Sequence, residues 1–362
     1  GGGGGSGGGS GASGGSGYRR VGDDRTANLK VDNITNRTGT DGTEVDGIVE
    51  VNTTAHFIPP SGTTAERGSR GRGIFSGGLS GVSPTVDADT IDYVTIATLG
   101  NAIDFGNLSE AKRGNGAASS STRGLVFAGQ IGPAKQNTIE YFTISTTGNS
   151  FDFGDLTEAI WTVAGLSNNV RGVCVGGATP TIINNINYVT IASLGNASDF
   201  GDTISPTQGA AACASPTRGI HAGGVVPGSN LNTIGYITIS TTGNSQEFGD
   251  LTKAREGPAG LSNSIRGVFG SGDTPSKLNV IDYITIASLG DAIDFGDLSY
   301  TNSYIGATAS QTRGLFAGGY SSFTNNIEYL SIDTTGDTTD YGDLTLARGF
   351  MAGCSDSHGG LG

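Results

Sequence analysis

The chain has 362 residues, of which 64 are glycine and 35% are apolar, and its formal charge is −13. This length allows a sizeable core, but frequent glycine and short apolar runs favour tight turns over long helices. No apolar run approaches the roughly 18 residues of a membrane-spanning helix, and an acidic surface disfavours nucleic acid as a partner.

The first 70 residues differ in composition from the rest. Residues 1–17 are glycine and serine with one alanine, so we expect residues 1–20 to form a Gly/Ser-rich arm. Alternating apolar patches such as "EVDGIVEV" at 44–51 favour an extended, β-rich segment over 21–70 that attaches the chain to partners and makes it a homo-oligomer. A disordered leader is the alternative. The chain has no signal-peptide pattern and no initiator Met, which indicates a processed or partial product.

From residue 71 onward the sequence repeats itself. "GRGIFSGG" at 71–78 recurs in altered form at 170–177, 217–224 and 312–319, and Arg-Gly pairs recur roughly every 47 residues. A second phrase, such as "IEYFTISTTGNSFDFGDL" at 139–156, recurs between them, which gives six copies. Internal repetition of this length is typical of stacked or circular β architectures.

Each copy predicts four short strands. A small-residue strand a is followed by the Arg-Gly strand b, by a Tyr-centred strand c rich in β-branched residues and by the Phe-Gly-Asp strand d. "TTGN" and "SLGN" supply the tight c–d turn. Four strands in each of six copies predict an all-β, six-bladed β-propeller over 71–362.

The order of the strands also predicts how the ring closes. The first copy begins at strand b, and residues 348–355 have the small-residue composition of a missing strand a. We therefore predict that 348–355 pairs beside 73–78 and leaves no free edge. Residues 62–70 are the competing candidate, but Glu66, Arg67 and Arg70 suit a crowded axis poorly.

The double glycine after strand b, the Tyr of strand c and the repeat length resemble kelch-type propellers across roughly 71–355. The family's usual outer-strand Trp is replaced by Phe or Tyr. Units such as "TIASLGNASDFGD", together with 29–40 and 59–67, resemble structural proteins of marine bacteriophages of the cyanophage type. This resemblance implies a component of the virion: a tail fibre, a tail-tip protein or a capsid-surface appendage.

The sequence does not indicate catalytic chemistry. His56, His221 and His358 have no metal-ligand spacing, and the three scattered cysteines are expected to be small buried side chains. Asp pairs flank the aromatic-Gly turn of strand d, as in Asp152 and Asp155, Asp294 and Asp297, and Asp340 and Asp343. They could bind calcium, but six equivalent positions favour a structural role, in which each Asp accepts backbone N–H bonds or pairs with a repeated Arg. We expect no enzyme activity, no cofactor and no metal.

Two sets of side chains are singled out. The first is the repeated arginines, expected to bond to Asp side chains or to backbone carbonyls and so hold turns together: Arg72, Arg123, Arg171, Arg218, Arg266 and Arg313. The second is aromatic and lies where the copies differ: Trp161, Tyr300, Tyr304, Tyr320 and Phe323. These suit a glycan, or they cover loop cores or contact a neighbouring subunit.

The leading hypothesis is a non-enzymatic phage appendage at the surface of the virion. Its propeller would bind a host-surface glycan or protein, and residues 1–70 would bind other virion proteins. A capsid decoration or head fibre is the first alternative, and a secreted bacterial kelch-like binding protein is the second.

Overall fold

The computed structural model describes residues 71–81 and 85–361. The expected arm at 1–20 and the attachment segment at 21–70 lie outside the described residues. The described chain is all-β, with antiparallel strands in several sheets and one short 3-10 helix, Gly359–Leu361. None of its helices is long and apolar enough to cross a membrane.

Six of the sheets contain the four predicted strands in the order a, b, c, d. Strands a are Gly116–Ser119, Ala164–Ser167, Ala211–Ala214, Ala259–Ser262, Gly306–Ala309 and Ala352–Ser355. Strands b are Arg72–Ser76, Arg123–Phe127, Arg171–Val175, Arg218–Ala222, Arg266–Gly270 and Arg313–Ala317. Strands c are Thr90–Thr95, Ala134–Thr143, Asn185–Thr190, Thr233–Thr238, Ser276–Thr285 and Asn326–Ser331. Strands d are Ile103–Asn107, Phe151–Ile160, Ser198–Asp202, Gln246–Asp250, Ile293–Asn302 and Thr339–Asp343.

Additional short strands lie in the segments that connect strands a, b, c and d. They are Leu79–Ser80, Val86–Asp87, Gln130–Ile131, Val225–Val226, Ser229–Asn230, Asp273–Thr274 and Arg348–Gly349.

The first sheet takes its strand a from the far end of the chain. Gly73 pairs with Ser355 and Ser76 pairs with Ala352, so the predicted pairing of the C-terminal strand with strand b is confirmed. The paired segment is shorter than 348–355, because Arg348–Gly349 instead pairs with Leu79–Ser80.

The sheets bury side chains on both faces. In strand c, Ile91, Asp92 and Val94 are all buried although neighbours on a strand point to opposite faces. Each hydrophobic cluster mixes adjacent copies: Phe200 of the third copy shares a cluster with Ile237 of the fourth. The core is therefore distributed between neighbouring sheets.

The six repeated arginines join each sheet to the next. Each guanidinium lies over the strand-c Tyr of its own copy, at 4.5 to 4.7 Å from the ring centroid. Each also donates to an Ile carbonyl of another copy. The acceptors, in order from Arg72 to Arg313, are Ile144, Ile191, Ile239, Ile286, Ile332 and Ile96. The repeated arginines thus bond to backbone carbonyls. The last of these bonds runs from Arg313 of the sixth copy to Ile96 of the first.

The "TGN" turn makes a second set of bonds between copies. Gly148 N–H donates to the Phe105 carbonyl, and the Asn107 N–H donates to the Asn149 side chain. Equivalent bonds join every consecutive pair, and the last joins Gly100 to Tyr341 and Asp343 to Asn101.

Buried ion pairs join three of the six pairs of neighbouring copies: Lys112 with Glu140, Arg255 with Asp282 and Arg348 with Asp92. In the last two pairs both side chains are fully buried. Burial opposes ionisation of Glu140, but the Lys112 ammonium holds its pKa below the ordinary value. The sequence reading missed these pairs because the other copies carry Ile160, Thr207 and Asn302 at the position of the cation.

Candidate ligand-binding site

The two ends of the sheets differ in sequence. Arg72 pairs with Thr95, so the a–b and c–d turns lie at one end, which we call the uniform end. The b–c and d–a connections lie at the other, the variable end. The candidate site is at the variable end, where each chain segment enters strand a.

Six backbone groups form a cycle of hydrogen bonds at the variable end, which we call the backbone ring. Its members are Gly114, Thr162, Gly209, Gly257, Tyr304 and Phe350. Each N–H donates to the carbonyl of the preceding member at 2.7 to 2.9 Å, and Gly114 donates to Phe350. The six copies are therefore hydrogen-bonded in a closed series at this level.

Every member of the backbone ring has a positive φ, between 52° and 66°. This conformation favours glycine and costs other residues roughly 1–2 kcal/mol. Three members are glycine, but Thr162, Tyr304 and Phe350 are not. Two adjacent copies thus place aromatic residues where the backbone favours glycine, and local strain of this kind concentrates at functional sites.

The two aromatic members belong to a larger cluster. The rings of Tyr304 and Phe350 are stacked with centroids 4.0 Å apart, and Tyr320 packs edge-on against Phe350 at 4.7 Å. Phe323 packs against Tyr320 at 5.7 Å. Tyr320 is the most open of the four, with 41% of its surface exposed.

Tyr304 is the member of this aromatic cluster whose ring is covered by neighbouring groups. Its ring lies so close to Gly257 that a Cβ on that glycine would be 2.9 Å from the ring. Gly257 and Phe350 therefore both pack against this ring. Burial is the main reason that the pKa of the Tyr304 hydroxyl is raised, with the neighbouring Glu256 carboxylate adding to it. Ligand contact is left to Phe350, Tyr320 and Phe323.

The structure brings together some of the aromatic residues predicted from the sequence. Tyr304, Tyr320 and Phe323 are in the cluster, and Trp161 lies against Gly114, the ring member next to Phe350. Tyr300 is not in the cluster, because its hydroxyl donates to the Gly318 carbonyl. Sequence reasoning missed Phe350, although aligning the six copies on the residue before strand a would have shown it.

A cavity of about 80 Å³ lies beside Phe350 and Tyr304, lined by the backbone ring and by the residue that follows each ring member, just before strand a. At the uniform end the chain covers its own strands a instead. His358 Nε2 lies 3.0 Å from the Ser119 carbonyl oxygen, and the Gln311 side chain donates to the His358 carbonyl. The variable end is thus the more open of the two.

Charge at the site is acidic. Glu256 and Asp273 exchange backbone hydrogen bonds, and the Asp273 carboxylate pairs with Lys277. Burial, followed by the charge of Asp273, raises the pKa of Glu256 above its ordinary value.

The repeated carboxylates lie elsewhere. The first Asp of each pair is exposed, as at Asp152 and Asp294, while the backbone N–H of the second donates to the next copy's Asn or Asp. The sequence proposed the reverse, an Asp side chain as acceptor. Within 71–81 and 85–361, no group of three or more His, Cys, Asp or Glu could hold a metal ion. The three cysteines are buried and free, as predicted.

The uniform end carries most of the exposed large apolar side chains, which the sequence reading did not foresee. Leu99, Leu194 and Leu289 lie in c–d turns and are each more than half exposed. Val170 and Ile265 lie in a–b turns. The uniform end therefore also carries candidate contact residues.

In comparisons with known proteins, no family model matches the chain and no curated protein matches it. Function therefore has to be inferred from the chain's own residues.

Proposed function

We propose that this chain is a non-enzymatic binding protein whose aromatic cluster at the variable end binds a surface glycan. One observation carries the proposal: Tyr304 and Phe350 occupy backbone-ring positions that favour glycine, and their rings stack beside the exposed Tyr320. Aromatic faces next to polar loop residues suit sugar rings. If the cluster binds a ligand, that binding explains both the backbone strain at Tyr304 and Phe350 and the exposed aromatic surface.

We further propose that residues 71–362 form a six-bladed, kelch-like propeller. Three features support this: six four-stranded sheets, strand a of the first sheet supplied by Ala352–Ser355, and bonds between copies that return from the sixth to the first. A ring of this kind would present the cluster at the mouth of its axis.

The sequence resemblance to cyanophage structural proteins supports a place on the virion surface, as a tail fibre or tail-tip protein that attaches to the host. Residues 1–70 would then join the chain to other virion proteins.

A glycan array probed with the full chain tests the proposal. We expect binding to a restricted set of glycans, and loss of about tenfold or more in affinity when Tyr320→Ala removes the open ring. Tyr300→Phe is the matched control, because Tyr300 lies outside the cluster, and it should bind as the unaltered chain does. Equal binding by Tyr320→Ala, or no glycan bound by the unaltered chain, would contradict the proposal.

A structural role in the particle is the second candidate, and the exposed apolar residues of the uniform end favour it. Leu99, Leu194 and Leu289 expose apolar surface that a neighbouring protein could cover. This function predicts loss of particle stability, rather than loss of host binding, when the three leucines are replaced by Asp.

A further inference from the structure

A second cavity lies at the uniform end of the fourth copy, away from the aromatic cluster. It has a volume of about 390 Å³, which is within the range of small-molecule sites. Side chains with hydrogen-bonding groups line it: Arg218, Thr238, Thr241, Thr242, Asn244 and Gln246. Among the described residues that line the cavity, one is a cation and none is an acid, although the chain as a whole carries a charge of −13.

The two amides of this cavity have their oxygens bonded to the protein. The Tyr236 hydroxyl donates to Gln246 Oε1 at 2.6 Å, and the Asp202 N–H donates to Asn244 Oδ1 at 3.0 Å. Each amide therefore offers its nitrogen, which is a donor, to a ligand. This arrangement favours a ligand that accepts hydrogen bonds.

Arg218 supplies the positive charge of the cavity. Its guanidinium lies 4.5 Å from the centroid of the Tyr236 ring and donates to the Ile286 carbonyl at 2.7 Å. These two contacts hold the guanidinium in place, and a guanidinium has further N–H groups with which to bind a ligand. A carboxylate is an acceptor that the guanidinium fork matches at two points.

Only the fourth copy combines these groups in its sequence. Leucine stands at the position of Thr242 in the first, third and fifth copies, and Phe151 stands at the position of Gln246 in the second. The sixth copy has Asp337 at the position of Asn244, which brings a negative charge. The repeated arginine is thus common to all copies, whereas the set of donors around Arg218 is not.

We propose that this cavity binds a sugar residue that carries a carboxylate. Arg218 pairs with the carboxylate, and the two amides donate to oxygens of the sugar. The three threonine hydroxyls both donate and accept, which suits the hydroxyl groups of a sugar better than a bare anion. The site is separate from the aromatic cluster, and neither proposal depends on the other.

Two glycosides that differ only at C6 test this proposal. Methyl β-D-glucuronide has a carboxylate there, and methyl β-D-glucoside has a hydroxymethyl group. Each is titrated into the full chain at neutral pH and physiological salt, and we expect the glucuronide to bind about tenfold more tightly. Acetate, a carboxylate without a sugar, should bind at least tenfold more weakly than the glucuronide.

Asn244→Asp tests the position of the site with a residue that the fold already accepts. Asp291 and Asp337 occupy this position in the fifth and sixth copies and accept the equivalent backbone N–H. The added carboxylate repels the glucuronide, so the preference over the glucoside should disappear. Asn149→Asp is the matched control, because it adds the same charge to the second copy's turn, where Asn149 accepts from the Asn107 N–H. It should keep the preference.

The aromatic cluster provides a further control, since Tyr320→Ala should bind the glucuronide as the unaltered chain does. Loss of the glucuronide in Tyr320→Ala would place its binding at the variable end and overturn the proposal. Four other results would also overturn it. They are absent or equal binding of the two glycosides, a preference that survives Asn244→Asp, a preference that Asn149→Asp abolishes as fully, and acetate binding as tightly as the glucuronide.

Discussion

At the scale of single residues, one arginine per copy combines two contacts. Arg266 lies 4.7 Å from the centroid of the Tyr283 ring and donates to the Ile332 carbonyl of the next copy. The first contact holds strands b and c together and the second holds neighbouring copies together. Such a residue serves the fold and lies far from the variable end.

We therefore predict that Arg266→Ala lowers the free energy of unfolding by about 1–3 kcal/mol, since it removes a cation–π contact and a charged hydrogen bond. Denaturant titration measures the loss, and Arg266→Lys should lose less because it keeps the positive charge. Glycan affinity should not change. A stable Arg266→Ala protein that no longer binds glycan would contradict the structural role of this arginine.

His221 occupies a strand-b position that other copies fill with Phe75, Phe269 or Phe316. Its Nε2 lies 2.7 Å from the Ser245 hydroxyl, and the ring fills the space left open by Gly235. Burial lowers its pKa from 6.5 to about 4. The unfolded chain therefore takes up this proton at a higher pH than the folded chain does.

It follows that His221 costs stability as the pH falls from about 6.5 towards 4. We predict that His221→Phe unfolds with a shallower loss of stability over this window, as measured by denaturation at several pH values. Asp356 has the opposite sign, because burial raises its pKa to about 6, but it is present in both proteins and cancels. Parallel curves for the two proteins would disprove the assignment.

At the scale of elements, the close approach of one sheet to the next depends on paired glycines. A Cβ at Gly154 in strand d would lie 2.5 Å from the Gly195 carbonyl oxygen in the next copy's turn. Gly195 itself has open space around its Cβ position. Their φ values are nearly equal, 148° and 147°, so the two positions differ mainly in contact.

This pair provides a matched experiment. Gly195→Ala should cost about 1–2 kcal/mol of unfolding free energy from backbone strain alone. Gly154→Ala should cost clearly more, because the methyl group also forces the two sheets apart. Thermal or denaturant unfolding of both variants measures the difference. Equal losses would mean that the contact between sheets contributes nothing.

The strands and turns were predictable because each of them recurs six times in the sequence. β-branched residues around the Tyr of strand c and glycine in the c–d turn have local physical causes, and repetition removes the ambiguity of a single copy. The buried pair of Arg348 with Asp92 was not predictable, because its partners are far apart in sequence and only three copies carry such a pair.

The candidate site was predictable only in part. Tyr304, Tyr320 and Phe323 were found because they lie in loops that differ between copies. Phe350 was not found, since it lies inside the segment assigned to strand a. The strain at Tyr304 and Phe350 requires backbone angles, which composition does not reveal.

At the scale of the whole molecule, every second copy shares features that its two neighbours lack. Leucine is exposed in the c–d turns of the first, third and fifth copies, where the others have Thr147, Thr242 and Thr335. The middle of strand a alternates too: a Cβ at Gly165, Gly260 or Gly353 would meet the preceding copy's Ala117, Ala212 or Ala307. The chain is thus built from three two-copy units, and the aromatic cluster departs from that symmetry.

This departure separates the parts that build the fold from the part that we propose binds the ligand. Bonds repeated in every copy, such as those of the arginines, hold the sheets together. The backbone ring is also repeated, but aromatic residues occupy it only in the fifth and sixth copies, at Tyr304 and Phe350.

Titrating a glycan selected on the array into the full chain carrying Tyr304→Gly and Phe350→Gly tests this separation most directly. The two substitutions give the ring the residue that its backbone favours, so we expect a folded protein with unchanged sheet content by circular dichroism. Glycan affinity should fall by about tenfold or more. A folded double variant that binds the glycan as tightly as the unaltered chain would contradict the central claim.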